Sequence, residues 1–399
     1  MRVIFHIDLN AYFASAAVCI EPELAGKPLV ITRDNPRSII TTASYQARAL
    51  GIHSAMPLFQ AKKICPDIIV REPDFKLYNE LSNQFFSIVA SYSPILAVGS
   101  IDECYVDVTQ LFKDKKYTDP YELAQKIQQE VYEKLHLECS IGISHNKFLA
   151  KMASDLKKPM GITILTKKNI KTVMWPLDIS SFYGIGKKSQ EVLKSNNINT
   201  IQDLANYHNY DLLTSIFMNR AFIIYRQANG IDTQPVVGKE KLRSVGNSTT
   251  LDKVSNDHTY LEDTLSSLAS HVSARAKKRE LISNSISITI KYKNGKTITR
   301  QTIISRFTND FEDIISTAKM LFDNNYNGML VRLLGVSLNN TIEIKNYNQQ
   351  LSLFDHSELV TKKDDVDNLI EILNQNSNSV KVIKASQLEK KKKDFIIKD

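Results

Sequence analysis

Apolar residues fall in short blocks along the first half of the chain, each closed by a polar or acidic residue. Residues 3–8 form the first block, apolar almost throughout and ending on Asp8, and they predict a buried strand. The small residues 14–18 predict a helix, followed by a turn between Pro22 and Pro28 and a second strand over 29–31. A helix is predicted across 42–51, stopped by Gly51. Another covers 78–91, with Phe85, Phe86, Ile88 and Val89 on or near one face. Residues 95–109 predict two short strands broken at Gly99-Ser100. Pro120 opens a helix that runs to Leu135, because proline is tolerated in a first turn. A strand over 138–144 and a helix over 146–157 complete this region, whose alternation predicts an α+β sheet covered by helices.

From Pro176 to Gly230 the texture changes to short helices and glycine turns. Further on, 285–290 and 331–336 alternate as half-buried strands do, with helices predicted over 261–280 and 310–323. Residues 232–243 read as a linker. Beyond Tyr347 the chain is polar and rich in Asn and Lys, with one short amphipathic stretch over 366–373 and a lysine run at 390–393.

A chain of 399 residues exceeds one compact core, so two to four domains are expected. With 43% hydrophobic and 24% charged residues the sequence is that of a folded protein, not of a disordered or collagenous one. No apolar run approaches the ~18 residues of a spanning helix. The first apolar run is too short for a signal peptide. Cys19, Cys65, Cys104 and Cys139 are far apart with no CxxC pair, so neither a zinc site nor a disulfide framework is expected, and a reducing cytoplasm is. The net charge of +8 and pI near 9.0 point to a polyanionic partner. Between Lys239 and Arg306 there are 13 Lys and Arg against 6 Asp and Glu, which concentrates the excess in one segment as a phosphate-binding surface requires.

Three carboxylates embedded in apolar sequence carry the candidate chemistry: Asp8, and the adjacent Asp102 and Glu103. Buried acids must be neutralised by protons, bases or metal, and hard divalent ions such as Mg²⁺ take oxygen ligands. Taken alone, such acids are more often structural than catalytic. Adjacent strand residues also point to opposite faces, so Asp102 and Glu103 reach one site only if the turn at Gly99-Ser100 breaks the alternation. Asp107 is read as a structural carboxylate.

The stretches 5–14 (FHIDLNAYFA) and 100–107 (SIDECYVD) resemble the two catalytic motifs of the Y-family DNA polymerases, in the DNA polymerase IV branch. Four more matches follow in the family's order: 43–52 (ASYQARALGI), 142–151 (GISHNKFLAK), 157–161 (KKPMG) and 183–187 (YGIGK). The likeness covers about the first 240 residues and continues more weakly to about 342. It implies a right-hand polymerase, with a palm on a ferredoxin-like sheet (1–10 and 77–165), fingers (11–76), and a helical thumb with a helix-hairpin-helix (166–232). A linker (233–243), an α/β little finger that binds DNA (244–342) and a flexible tail (343–399) complete it.

The resemblance further implies roles for single residues. Asp8, Asp102 and Glu103, with the Leu9 carbonyl, would hold two Mg²⁺ ions. Tyr45, Arg48 and Lys158 would grip the triphosphate of a deoxynucleotide. Phe13, with Tyr12 packed beneath, would be the steric gate that excludes a 2′-hydroxyl. Gly184, Gly186 and Lys187 would bind a DNA phosphate without reading sequence. Many relatives have an acid where this chain has Asn10, so Asn10 is not counted as a ligand. Near the C-terminus, Gln350, Leu351, Leu353 and Phe354 resemble the peptide by which bacterial polymerases bind the sliding clamp. The expectation is a monomeric, low-fidelity translesion DNA polymerase of damage tolerance and repair. It would work on primer-template DNA in a bacterial cytoplasm, at the nucleoid when active, with no membrane partner. Two rivals stand beside it. A binding protein with a decayed site is disfavoured by the intact acids. A nucleotidyl cyclase with the same palm layout has no use for the thumb hairpin or the basic C-terminal domain.

Overall fold

The computed structural model describes residues 2–35, 38–238 and 242–347. The chain divides into two compact units that part between Glu240 and Lys241. In the first unit the opening apolar run forms β1 (Ile4–Leu9) and the small residues after it α1 (Tyr12–Ile20). Next come β2 (Leu29–Ile31), β3 (Thr42–Ala43), α2 (Tyr45–Ala49), α3 (Leu58–Ile64) and β4 (Ile69–Arg71). The three strands make a small sheet in the order β3-β2-β4 over a core of Val30, Ala43, Ala47, Leu58 and Ala61. The helix expected over 42–51 is shorter than predicted. Thr42 and Ala43 pair with β2, and Ser44 caps the helix by accepting from the Ala47 N–H at 3.3 Å. Gly51, at φ +85°, follows its end.

The main sheet is built next, from α4 (Phe75–Tyr92), β5 (Leu96–Val98), β6 (Glu103–Asp107), α5 (Thr109–Lys113), α6 (Pro120–Leu135), β7 (Cys139–Ser144), α7 (Lys147–Leu156) and β8 (Ile162–Ile164). Its order is β5-β6-β1-β7-β8, with β1 in the centre and antiparallel to both neighbours. Alternation sends Phe5, Ile7, Leu9, Cys104, Val106 and Ile141 to one face, where they pack against Phe85 and Val89 of α4 and Leu123 and Ile127 of α6. The other face of the sheet carries α7. At Gly142 an added Cβ would stand 2.0 Å from the Ala150 carbonyl oxygen and 2.4 Å from the Ser154 nitrogen, so only glycine lets α7 lie this close to β7.

The remaining helices of this unit are α8 (Ile170–Val173), α9 (Lys187–Ser195), α10 (Ile201–Ala205), α11 (Tyr210–Phe217) and α12 (Ala221–Ala228). They share a core with Phe148, Leu149 and Met152 of α7. Residues 232–238, read from sequence as linker, do not hang free. Val236 is buried with Ile4, Ala97, Tyr105 and Ala150, because this one apolar side chain finds a site at the edge of the main sheet.

The second unit comprises β9 (Ser244–Ser255), α13 (His258–Lys278), β10 (Leu281–Tyr292), β11 (Thr297–Thr308), α14 (Phe311–Asn325), β12 (Val331–Asn339) and β13 (Ile342–Glu343). Its antiparallel sheet runs β11-β10-β12-β9, with β13 added to β10, and α13 and α14 bury Leu265, Leu268, Ile314 and Phe322 against Ile286, Ile288 and Ile290. Both units are mixtures of sheet and helix, as the α+β expectation required. All four cysteines are free thiols, and among the described residues no helix is long and apolar enough to cross a membrane. Gln350, Leu351, Leu353, Phe354, the 366–373 stretch and the terminal lysines lie outside the described residues.

Candidate active site

The central strand β1 aims alternate side chains at α7: Ile4, His6 and Asp8. Asp8 is the register partner of Glu103, directly across the β1–β6 pair, so both carboxylates emerge side by side on the helix-facing surface. Asp102 avoids the alternation problem because β6 begins only at Glu103. Asp102 sits in the preceding bend, its carbonyl accepting from the Leu9 N–H at 2.9 Å and its carboxylate from the Ser100 hydroxyl.

The three acids are not equivalent. Ligand atoms of His6, Asp8 and Glu103 all lie within 4.8 Å of one another, a cluster that does not include Asp102, whose carboxylate accepts from the Ser100 hydroxyl. Two lysines reach Asp8: Lys158 Nζ is 2.8 Å from Oδ1 and Lys151 Nζ is 3.2 Å from Oδ2. Lys151 also lies 3.0 Å from Glu103 Oε2. His6 first, and Lys151 with it, hold the Glu103 carboxyl down at about 2. The His6 Nε2–Glu103 Oε2 approach of 3.4 Å is long for a hydrogen bond, so the charged contact to Lys151 is the firmer one. Burial, then the charges of Asp8 and Glu103, push the Asp102 carboxyl above its ordinary range despite the Ser100 hydrogen bond. Among the described residues no basic side chain pairs with Asp102. It is an under-neutralised carboxylate in an acidic field, and a hard cation would relieve it; the all-oxygen donor set of Asp8, Asp102 and Glu103 suits Mg²⁺. Asp107 is structural as read: its Oδ1 accepts from the Thr109 N–H at 3.0 Å.

The triphosphate-binding candidates come from two elements, α2 and the loop that follows α7. Tyr45 and Arg48 share one face of α2, the guanidinium lying 4.9 Å from the centre of the tyrosine ring, and Arg48 Nε donates to the Ala43 carbonyl at 2.9 Å. The Tyr45 hydroxyl is buried without a hydrogen-bond partner among the described residues. Burial pushes its pKa up, Arg48 and Lys158 oppose that shift, and the influence of Asp8 on it marks the phenol as a neighbour of the carboxylates. Lys158 is seated by Asn10, whose Oδ1 accepts from the Met160 N–H at 2.8 Å and whose Nδ2 donates to Ser140 Oγ at 2.9 Å. Asn10 is thus fully engaged in holding the loop that carries Lys158.

Phe13 is half-exposed and rests on Tyr78, with Phe75 at its edge. Tyr12 is core, 3% exposed, its hydroxyl donating to the Tyr78 carbonyl. In the hairpin before α9, Gly184 has φ +91°, Ile185 is buried, and nothing lies within 4 Å of where a Gly186 Cβ would be. The element before the hairpin is a single 3-10 turn over Ile179–Ser181 and not a full helix. Sequence reading assigned no role to His6, Lys151, Ser154 or Tyr78. The stretches containing His6 and Lys151 had been singled out, but their importance depends on α7 lying across the sheet.

The model of the impB/mucB/samB family matches residues 7–155, that of the family's C-terminal domain residues 242–353, and that of the IMS family HHH motif residues 167–198. DNA polymerase IV of Oceanobacillus iheyensis is 41% identical over 91% of this chain and 86% of its own length. DNA polymerase IV 1 of Bacillus subtilis is 37% identical over 98% of this chain and 94% of its own. Among solved structures, a Y-family DNA polymerase chimera of Dbh and Dpo4 superposes with a TM-score of 0.75 at 26% identity, covering 86% of this chain and 99% of the chimera. DinB from Sulfolobus solfataricus does so with 0.59 at 25% identity over the same shares. With family models matched over residues 7–155, 167–198 and 242–353 and these relatives alike over nine-tenths or more of the chain, the protein belongs to the Y-family DNA polymerases, in the DNA polymerase IV branch.

Proposed function

We propose that the chain is a template-directed, low-fidelity translesion polymerase that adds deoxynucleotides to a primer 3′-hydroxyl by two-metal nucleotidyl transfer, in DNA damage tolerance and repair. The observation that carries this reading is the Asp8–Glu103 register pair beside the under-neutralised Asp102. Asp8, Asp102 and Glu103, with the Leu9 carbonyl, would hold two Mg²⁺ ions. Such a pair, when bound, activates an attacking hydroxyl and stabilises the leaving oxygens of an in-line displacement at phosphorus.

The protein's own groups do the rest. Tyr45 and Arg48 bind phosphate oxygens from the fingers, and Lys158 turns from Asp8 to the triphosphate from the palm side. Phe13, held on Tyr78, lies under the deoxyribose and leaves no space for a 2′-hydroxyl. Gly184 and Gly186 let the DNA backbone approach the start of α9, and Lys187 adds charge to that contact. The basic second unit, as little finger, extends backbone contacts along the duplex without reading sequence. Domain limits are those the family implies: palm 1–10 and 77–165, fingers 11–76, thumb 166–232, little finger 244–342. The tail peptide Gln350 to Phe354 tethers the monomeric enzyme to the sliding clamp, in the cytoplasm and at the nucleoid when active.

Primer extension with deoxynucleotides and Mg²⁺ tests the reading. Wild type extends and Asp102→Ala does not; extension by neither would leave a DNA-binding protein. Deleting residues 350–354 should remove stimulation by loaded clamp while sparing synthesis without it. Equal stimulation would sink the tether.

A further inference from the structure

Lys151 occupies the middle of the acidic end of the main sheet, on the turn of α7 that Gly142 allows down onto β7. Its Nζ lies 3.2 Å from Asp8 Oδ2, 3.0 Å from Glu103 Oε2 and 3.4 Å from Asp155, and the residue is only 8% exposed. Burial works against its charge, but Asp8, Asp155 and Glu103 outweigh burial and hold the amine protonated. Lys158 makes a parallel set of contacts, at 2.8 Å to Asp8 Oδ1 and 2.8 Å to Asp155 Oδ1. Asp155 therefore touches both ammonium groups, lies towards solvent, and is none of the three acids assigned to metal.

We propose that Lys151 is the resident counter-ion of the carboxylate site, holding Asp8 and Glu103 together until a divalent cation takes their oxygens, and that Asp155 then keeps the displaced ammonium. The inference rests on the metal site proposed above. An ammonium and a divalent cation a few ångströms apart in a half-buried site repel strongly, so the two exchange for the same oxygens instead of adding. A buried ammonium left without a partner is costly, and this is what Asp155, one helical turn away on the same face, prevents. Lys151 touches no substrate in this scheme. It is a positioning residue, keeping two like charges in register in the metal-free protein and setting how readily a cation enters.

The test is Mn²⁺ titration of the full chain without DNA or nucleotide, read from the paramagnetic resonance of free Mn²⁺. Wild type should bind the ion and Asp8→Asn should lose most of that binding. No difference between them would overturn the metal site itself, and the counter-ion with it. Given that binding, Lys151→Met should tighten Mn²⁺ affinity about tenfold, the effect of removing one nearby positive charge, whereas Lys151→Arg should bind as wild type does. Asp155→Asn, at a solvent-facing position, should weaken Mn²⁺ binding and lose most of that effect in the Lys151→Met background. Lys151→Met binding no tighter than wild type, or an Asp155→Asn effect as large without Lys151 as with it, would overturn the exchange while leaving the metal site standing.

Discussion

Phe13 lies nearly parallel to Tyr78, ring centres 4.2 Å apart and planes 17° apart. The stack fixes the height of the Phe13 ring, because Tyr78 is itself 1% exposed and cannot yield. Removing the ring by Phe13→Ala should admit ribonucleotides, raising their relative incorporation about 10–100-fold, the range a hydrophobic wall achieves against an added hydroxyl. Single-nucleotide insertion kinetics with matched deoxy- and ribonucleotides would check it. Unchanged discrimination would remove Phe13 from the gate.

Asp102 should show function opposed to stability. Its carboxyl sits above the ordinary range in the folded protein, pushed there by burial and by Asp8 and Glu103, so at neutral pH its charge works against folding. Asp102→Asn should therefore abolish extension yet raise the melting temperature of the metal-free protein. A gain of about 1 kcal/mol, usual for a stabilising change, would appear as roughly 2–4 °C. Excess Mg²⁺ should narrow the gap. A lower melting temperature for the variant would show that Asp102 is not under-neutralised.

Acid should act on Glu103 in the opposite sense. Its folded-state pKa of about 2 lies below the ordinary glutamate value of 4.5, so it contributes stability that is present above about pH 4.5 and lost as pH falls towards 2. Glu103→Gln should flatten the acid limb of the melting curve in that window. An unchanged limb would mean that its partners Lys151 and His6 do not favour the charged form.

Gly142→Ala should be severe, although the residue carries no chemistry. The added methyl would meet the backbone of α7 at Ala150 and Ser154, which cannot move aside as a side chain can. Overpacking of this kind costs about 1–3 kcal/mol or more. Lifting α7 also shifts the loop after it that carries Lys158, so extension should fall even at temperatures where the variant remains folded. Denaturant unfolding and primer extension on the same preparation would separate the two losses.

At the hairpin before α9, Lys187→Ala should weaken binding to primer-template duplexes of every sequence alike. The plot of log affinity against log salt should become shallower by about one unit for one lost phosphate contact. A sequence-dependent loss would point away from backbone binding.

Much of this was legible in the chain. β1, α6, β7 and α7 follow from apolar blocks with clear caps, and β10 and β12 from branched residues at every second position. β9 and β11 were not legible. Of β9 only Val245 and Leu251 are buried, and β11 is an outer strand with most of its side chains exposed, so neither shows the alternation a half-buried strand displays. The acids could be picked out, and so could the need for a turn at Gly99-Ser100 before them; what the structure adds is that β6 starts only at Glu103 and leaves Asp102 in the bend. Lys151 and His6 were visible as letters. What they do is set by α7 crossing the sheet, a relation between segments far apart in sequence.

Asn10 ties the Met160 loop to the end of β1, which joins Lys158 to the sheet that carries Asp8 and Glu103, while Tyr45 and Arg48 stand on α2, beside the separate small sheet β3-β2-β4. Apart from Tyr45 and Arg48, side chains of that region can therefore change without moving the acids or the lysines that pair with them.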